Sequence, residues 1–238
     1  MFLIFRDFRD EPALPLALTP EEFRHIRARR LRPGEPVHIG NGRGVRLCGP
    51  LADDQRSVSE LLPDRTRREV LRPLYLCTAV PSGKRWDWLL EKATELGVSH
   101  IVPVRYRRSD RIRISPERAR RIFEQAGAQS QAFHLPELLP ECDLSELHAC
   151  LPPNAHPMVP HPEAEARLGE AAGAEGIVGV PTFIIGPEGG FAPDELDYFR
   201  RRKWSSYAMG PSILRIETAA LAALAWVASA GGANPVDG

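Results

Sequence analysis

Two glycine turns are the parts of this sequence whose residue types favour ligand binding. The first, GPEGG at Gly186 to Gly190, follows the apolar run Val178 to Ile185, and the second, MGP at Met209 to Pro211, precedes a helix start. Glycine lacks a side chain, so a ligand can approach the backbone N–H and C=O groups of such turns closely. A buried strand that ends in a turn is typical of the edge of an α/β sheet where ligands bind. On the residues alone, a plain strand-to-helix turn is the simpler interpretation.

The first turn does not match the common nucleotide-binding motifs. Its glycines stand at 186, 189 and 190 and do not form GxGxxG, and no Gly-Lys-Ser or Gly-Lys-Thr follows them. An acidic residue about 20 positions further on, which would bind a ribose, is also missing. The pattern therefore excludes a Rossmann fingerprint and a P-loop and leaves the ligand unidentified.

The composition of the 238-residue chain is that of a soluble globular protein, with 43% hydrophobic and 26% charged residues. No apolar run reaches the roughly 18 residues that a membrane span needs, and the opening segment is charged too early for a signal peptide. We therefore expect a cytoplasmic protein without a membrane segment. The cysteines, Cys48, Cys77, Cys142 and Cys150, are scattered without a CxxC pair, which predicts reduced thiols and no metal site.

The formal net charge of zero conceals an asymmetry, because Lys and Arg are concentrated in the first half of the chain and Asp and Glu in the second. Contact between the basic half and an anionic polymer is one interpretation. A solvated arginine-rich surface is the other, and composition leaves both open. The arginines from Arg105 to Arg113 run through a predicted extended segment, where the odd-numbered ones would share a face and follow a phosphate backbone.

Residues 1–70 carry the pattern of a small β-rich domain. Met1 to Phe5 is a predicted strand, and Thr19 begins a short helix whose capping box is completed by Glu22. The turn residues from Asn41 to Gly44 separate two short apolar runs, which is typical of a hairpin. The polar, arginine-rich stretch 64–73 is a predicted linker to the rest of the chain.

Residues 71–238 predict an α/β domain that begins with a strand–helix–strand unit. Its predicted strands and helices, in chain order, are Leu74 to Val80, Trp86 to Leu96, His100 to Val104, a helix from Ser115, a short strand around Pro157 to Pro160, a helix around Glu163 to Ala172, Val178 to Ile185, a helix from Pro193, and Ile216 to Ala230. The last helix is apolar nearly all round, so we expect it to be buried, with another subunit as one partner that could cover it. The tail, 231–238, is predicted to be disordered.

A series of longer motifs runs through the chain in a fixed order. They are KATELGV at Lys92 to Val98, Gln129-Ser130 with Pro136, GPEGGF at Gly186 to Phe191, Met209-Gly210, ILR at Ile213 to Arg215, and ETA at Glu217 to Ala219. Together these motifs resemble the RsmE family, bacterial methyltransferases of the SPOUT superfamily that act on small-subunit ribosomal RNA. The resemblance covers nearly the whole chain.

The resemblance implies an α/β fold in two parts. These are an N-terminal PUA-like β-barrel over residues 1–70, which would bind RNA, and a C-terminal SPOUT α/β domain with a trefoil knot over residues 71–238. The second part would bind S-adenosylmethionine and form a homodimer. The implied reaction is methylation of N3 of a specific uridine of 16S rRNA, with the rRNA or the small-subunit ribosomal particle as partner and no metal.

The resemblance also assigns site residues by their positions in the motifs. The expected cofactor contacts are Thr78, Ile185, Gly186, Glu188, Gly190, Met209, Gly210, Ile213 and Leu214. Arg215 is expected to stabilise negative charge on the uracil, and Glu217 either to accept a proton or to hold Arg215. The expected RNA-binding cations are Arg30, Lys92, Arg105, Arg107 and Arg111.

Two positions depart from the pattern of the family. Many members carry an arginine after the Gln-Ser pair, where this chain has Gln131-Ala132. Many also carry an arginine before the ILR motif, where this chain has Ser212. Both changes remove a cation near the expected site. Two alternatives therefore stay open, a non-catalytic RNA-binding dimer of the same fold and a SPOUT methyltransferase that acts on another RNA base.

Overall fold

The computed structural model describes residues 1–9, 12–64, 73–171 and 177–230. It divides into two units, Met1–Leu71 with Phe123–Leu135, and Arg72–Ile122 with Pro136–Gly238. The predicted boundary between residues 70 and 71, the linker beyond Asp64 and the tail 231–238 lie outside the described residues.

The described part of the first unit is β-rich and contains one complete helix. Its strands are β1 (Phe2–Phe5), β2 (Leu16–Ala17), β3 (Pro36–Gly40), β4 (Arg46–Pro50), β5 (Ser57–Val58) and β6 (Leu62–Pro63), and its helix is α1 (Pro20–Arg29). One sheet has the order β1-β3-β4-β6, and β2 pairs with β5 in a second sheet. The opening strand and the β3–β4 hairpin agree with the sequence prediction.

Local side-chain hydrogen bonds fix the ends of these elements. Thr19 caps α1 as predicted, since its Oγ1 accepts from Glu22 N at 3.2 Å and Glu22 Oε2 accepts from Thr19 N at 2.7 Å. In the hairpin, Asn41 Oδ1 accepts from the N–H groups of Arg43 and Val45 at 2.8 and 3.1 Å. These bonds satisfy backbone donors that the helix and the ladder leave unpaired.

The second unit is built on a parallel sheet. Its described strands are β7 (Tyr75–Thr78), β8 (His100–Arg105), β9 (Glu137–Leu138), β10 (Cys142–Asp143), β11 (Ala155–Pro160), β12 (Val180–Ile185) and β13 (Ser205–Tyr207). The order is β10-β8-β7-β12-β11-β13, with β9 also paired to β8. Every pairing in this order is parallel. The α/β prediction is confirmed.

The helices of this unit follow the sequence pattern closely. They are α2 (Lys84–Glu95), the first part of α3 (Pro116–Ser130), α4 (Leu168–Ala171), α5 (Pro193–Arg201) and α6 (Ile216–Ala230), with a 3-10 turn at Leu147–Cys150. Helix α2 buries Trp86, Leu89, Leu90 and Ala93. Gly97 follows its end with a φ of +77°, a left-handed conformation that favours glycine at helix ends.

One expectation about this unit is wrong. Strand β8 ends at Arg105, and the next residues form a turn in which Ser109 N donates to Tyr106 O at 3.2 Å. The arginines beyond Arg105 therefore do not alternate along a strand. Within the single chain, helix α6 leaves Thr218, Ala222 and Ala225 exposed, and burial of this face against another subunit stays a prediction.

Candidate active site

A cleft lies where the loops that follow β7, β8 and β12 meet the first residue of α6. Its lining residues are Ala79, Val80, Pro81, Ser82, Arg85, Arg108, Ser109, Asp110, Pro187, Glu188 and Ile216. The carboxyl ends of parallel strands share one edge of a sheet, and ligands of open α/β sheets bind outside that edge. The cleft is therefore at the position where the fold favours a binding site, and the first glycine turn forms part of its wall.

Aromatic side chains pack against the first glycine turn. A Cβ built on Gly186 would be 2.7 Å from the Phe191 ring, so only glycine allows this approach. The ring of Phe191 contacts Tyr106 and Phe199 edge-on, at centroid distances of 5.4 and 4.9 Å. Gly190 closes the turn by donating its N–H to Pro187 O at 2.9 Å. The turn is thus a rigid support with exposed backbone at its tip.

Two arginines line the cleft beside the first glycine turn, and the first of them, Arg85, is not among the residues singled out from the sequence. Arg85 forms an ion pair with Glu188 and donates to Ser82 Oγ at 2.8 Å. Arg108 donates to Gly189 O at 2.8 Å. The expected cofactor residue Glu188 is therefore already paired. Arg108 belongs to the arginine-rich segment from Arg105 to Arg113, and the signal for Arg85 is its place at the start of α2, directly after the predicted loop from Pro81 to Lys84.

The second glycine turn offers backbone donors that the rest of the described chain does not use. No described backbone acceptor pairs with the N–H groups of Met209, Gly210, Ser212, Ile213 or Leu214. Gly210 has a φ of +132°, which only glycine adopts readily, and no atom lies within 4 Å of the position of its missing Cβ. The expected contacts Met209, Gly210, Ile213 and Leu214 do not line the cleft described above, although Ile216, which follows them closely, does.

The side chains of this turn differ in their solvent exposure. Ile213 is 90% exposed and Leu214 is half-buried. A fully exposed isoleucine beside an open backbone is an apolar surface that a planar ligand or a partner can cover. Such a surface is consistent with the expectation that Ile213 and Leu214 form apolar walls of a binding site.

Arg215 and Glu217 flank the beginning of α6 and differ in burial. Arg215 is exposed, and its backbone O accepts from Ala219 N at 2.9 Å. Glu217 is 5% exposed, and its Oε2 is buried without a partner among the described residues. The N-terminal turn of a helix favours negative charge because unpaired N–H groups point from it. A buried carboxylate oxygen without a partner is unusual and marks a candidate functional group.

Thr78 and Ile185 lie at adjacent strand ends and are both buried. Thr78 Oγ1 donates to Ala79 O at 2.8 Å, and Ile185 O accepts from Ala79 N at 2.9 Å. Their side chains therefore support the strand ends, and the chain directly after each of them reaches the cleft.

The expected RNA-binding cations fall into two groups. Lys92 pairs with Glu91 and Glu95, each at 2.8 Å, and Arg105 and Arg107 pair with Asp143 and Asp194, each at 2.7 Å. Arg30 and Arg111 are exposed and form no ion pair with the residues that the structure describes. The pairs raise the pKa of Lys92, through hydrogen bonds to Glu91 and Glu95. Only the second group presents cationic charge that no described carboxylate offsets.

Comparison with known proteins decides the family of the chain. Residues 68–228 match the model of a family described as RNA methyltransferase domain. The chain belongs to this family. The matched range contains both glycine turns and every residue that lines the cleft, so the cleft lies within the RNA methyltransferase domain.

Sequence similarity to other proteins extends beyond this RNA methyltransferase domain to nearly the whole chain. A "Ribosomal RNA small subunit methyltransferase E" of Bacillus subtilis (strain 168) is 26% identical over 230 residues, which cover 90% of each chain. One of Mycobacterium bovis (strain ATCC BAA-935 / AF2122/97) is 29% identical over 229 residues, 90% of this chain and 86% of that one. The resemblance to the RsmE family is confirmed.

A solved structure resembles the fold over the same length. A ribosomal RNA small subunit methyltransferase E from Neisseria gonorrhoeae, bound to S-adenosyl methionine, superposes with a TM-score of 0.83 and 27% identity, covering 97% of this chain and 98% of that one.

The described residues contain neither a candidate metal cluster nor a candidate membrane helix. Within them, no group of three or more His, Cys, Asp and Glu side chains is arranged to hold a metal ion. None of their helices has the length and apolar character needed to cross a membrane.

Proposed function

We propose that the chain transfers a methyl group from S-adenosylmethionine to N3 of a uridine in 16S rRNA. The observation that carries the proposal is the cleft at the carboxyl ends of β7, β8 and β12, formed by the first glycine turn and the start of α6 in an RNA methyltransferase domain. The small-subunit rRNA substrate is supported by the names of the relatives that cover 90% of this chain.

The residues present fit the expected cofactor, which the Neisseria gonorrhoeae relative binds. Adenine offers hydrogen-bond acceptors and an apolar ring, and the second glycine turn offers unpaired N–H groups beside the exposed side chain of Ile213. The open space at Gly210 allows a ligand to contact this backbone directly. S-adenosylmethionine supplies a methyl group on a sulfonium. The chain supplies the surface that orients it.

Arg215 and Glu217 are the proposed groups that act on the uracil. Uridine N3 loses its proton when it accepts the methyl group, and negative charge spreads onto the neighbouring carbonyl oxygens as the proton leaves. The exposed guanidinium of Arg215 stabilises that charge. The buried, unpartnered Oε2 of Glu217 is the proposed acceptor of the N3 proton. Positioning of the two reactants supplies much of the remaining rate acceleration.

The finer expectations about architecture belong to the same proposal. We propose a PUA-like barrel in the N-terminal unit, supported by its β1-β3-β4-β6 sheet and the β2–β5 pair. A trefoil knot around the two glycine turns and a homodimer that covers the exposed face of α6 complete the architecture. The proposed location is the cytoplasm, where ribosomal RNA is modified.

Calorimetry and RNA mass mapping test the function. The purified protein is expected to bind S-adenosylmethionine and to add one methyl group to 16S rRNA, or to the small-subunit particle, at N3 of a single uridine. Deletion of the gene is expected to remove 3-methyluridine from 16S rRNA, and expression of the protein to restore it. Persistence of that nucleoside in the deletion strain would contradict the proposal.

The two alternative functions give different results in the same experiments. A non-catalytic RNA-binding dimer binds 16S rRNA and does not bind the cofactor at high micromolar concentration. A methyltransferase with another target incorporates methyl groups from the cofactor at a different base. Each outcome would replace the proposed reaction.

A further inference from the structure

A second pocket lies at the opposite edge of the parallel sheet from the cleft. It is formed at the amino-terminal ends of β11 and β13, with Ala155 and Ser205 in its wall. Its volume is ≈ 360 Å³, within the range of roughly 300 to 1,000 Å³ that is usual for ligand sites. The methyl-transfer cleft, by contrast, lies beyond the carboxyl ends of the strands. The two sites are therefore separate.

The charge of this pocket is positive. Arg202, Lys203, His148 and His156 line it, and none of its ten lining residues is Asp or Glu. Neither Arg202 nor Lys203 forms an ion pair with a carboxylate in the described ranges of the chain. The neighbouring Arg200, in contrast, pairs with Asp197 at 2.9 Å. The uncompensated cations of the pocket suit an anionic ligand.

The two cations directly follow the last turn of α5, where the helix dipole also favours positive charge. Arg200 and Arg201 already occupy the last turn of α5, where positive charge is favoured. Lys203 comes after the helix with a φ of +55°, a position at which glycine is the usual residue. A lysine in this conformation is disfavoured locally, so a change of Lys203 to glycine relieves the backbone.

An aromatic wall adds a second kind of contact. Trp204 lines the pocket, and its ring stacks on Phe199 at a centroid distance of 5.5 Å and an angle of 19°. The Arg202 guanidinium is held over the Tyr198 ring at 4.6 Å. His156 contributes a buried ring nitrogen, Nε2, that has no partner among the described residues. Cations beside a fixed aromatic ring are the combination that binds a phosphate together with its base.

We propose that this pocket binds a phosphate group and the adjoining base of the RNA substrate, apart from the nucleotide that is methylated. The inference rests on the proposed function for the identity of the RNA. Arg202 and Lys203 hold the phosphate, and the indole of Trp204 contacts the base. The substrate thus spans both edges of the parallel sheet.

The test compares Lys203→Gly with Arg201→Gln in the full-length protein. Both variants remove one cation, and Arg201 does not line the pocket. Lys203→Gly also relieves the left-handed conformation, so the melting temperature is expected to stay the same or rise. Its affinity for 16S rRNA is expected to fall severalfold, with the slope of log K against log salt reduced by about 0.7, the contribution of one single-strand phosphate contact. Arg201→Gln is expected to change neither.

Equal RNA affinities and salt slopes for the two variants would overturn the proposal. Uridine 5′-monophosphate, titrated against the indole N–H resonance of Trp204, distinguishes the source of the phosphate. A shift by this probe, with no effect of Lys203→Gly on RNA binding, would identify a free nucleotide as the ligand and also overturn the RNA assignment. Cofactor binding, by calorimetry, and methylation of 16S rRNA are measured in parallel. Both are absent if the proposed function is wrong, and both are retained if only the proposal about this pocket is wrong.

Discussion

Glu195 accepts a hydrogen bond from the backbone N–H of Arg107 at 2.8 Å and a second one from Ala192 N–H at 2.7 Å. One carboxylate, 4% exposed, thereby joins the loop after β8 to the beginning of α5. The same loop supplies Arg108, Ser109 and Asp110 to the cleft. The position of this part of the candidate active site thus depends on a residue that does not line it.

Replacement of Glu195 by Ala is expected to lower the free energy of unfolding by about 2–4 kcal/mol, because two backbone N–H groups lose a charged partner. Urea unfolding measures the loss. Asp194→Ala is the control, since it removes an exposed ion pair with Arg107 and one exposed acidic residue of the first turn of α5, and it is expected to cost less than about 1 kcal/mol. Similar losses in the two variants would contradict the positioning role of Glu195.

Arg215→Ala is expected to slow methyl transfer by roughly 100- to 1,000-fold, as for removal of one donor to a developing anion. Cofactor affinity is expected to stay nearly unchanged, because the proposed role of Arg215 concerns the uracil. Single-turnover kinetics and calorimetry measure the two quantities separately. Arg215→Lys keeps the charge without the planar fork and is expected to be intermediate. An equal loss of cofactor binding and transfer would refute the assigned role.

Arg111→Gln is expected to weaken RNA binding and to reduce its salt slope by about 0.7, because the exposed guanidinium forms no ion pair with a described carboxylate. Arg107→Gln is expected to have a smaller effect, since Asp194 already offsets its charge at 2.7 Å. Filter binding over a series of salt concentrations gives both slopes. Arg105→Gln, whose guanidinium pairs with Asp143, serves as the control. An unchanged slope for Arg111→Gln would mean that this residue belongs to a solvated surface.

The free energy of unfolding is expected to decrease as the pH is lowered, because His38 in the first unit binds its proton less readily in the folded state. Burial lowers the pKa of His38 below its usual 6.5, and the hydrogen bond to Asp64 Oδ2 at 2.9 Å offsets this only in part. Between the two pKa values the unfolded chain binds more protons, so the free energy of unfolding decreases as the pH falls below about 6.5. Urea unfolding of His38→Asn should show a weaker pH dependence over this range. An NMR titration that placed the pKa of His38 above 6.5 would contradict the prediction.

The sequence by itself determined the local elements and the family. The capping box of Thr19, the glycine after α2 and the period of Trp86, Leu89 and Leu90 are interactions between residues a few positions apart. Such interactions are encoded in short stretches, so these particular elements follow from pattern alone. The motif order gave the RsmE resemblance, which the comparisons confirmed.

The tertiary structure alone decided which loops meet. Arg108 and Gly189 are 81 positions apart, and Arg85 and Glu188 are 103 positions apart. Their contacts depend on β7 lying between β8 and β12 in the sheet, an order that no local pattern contains. The same holds for the end of β8, where Tyr106 turns inward against Phe191 instead of continuing the strand. Short-range preferences set the elements of this protein, and long-range burial and strand order set its candidate site.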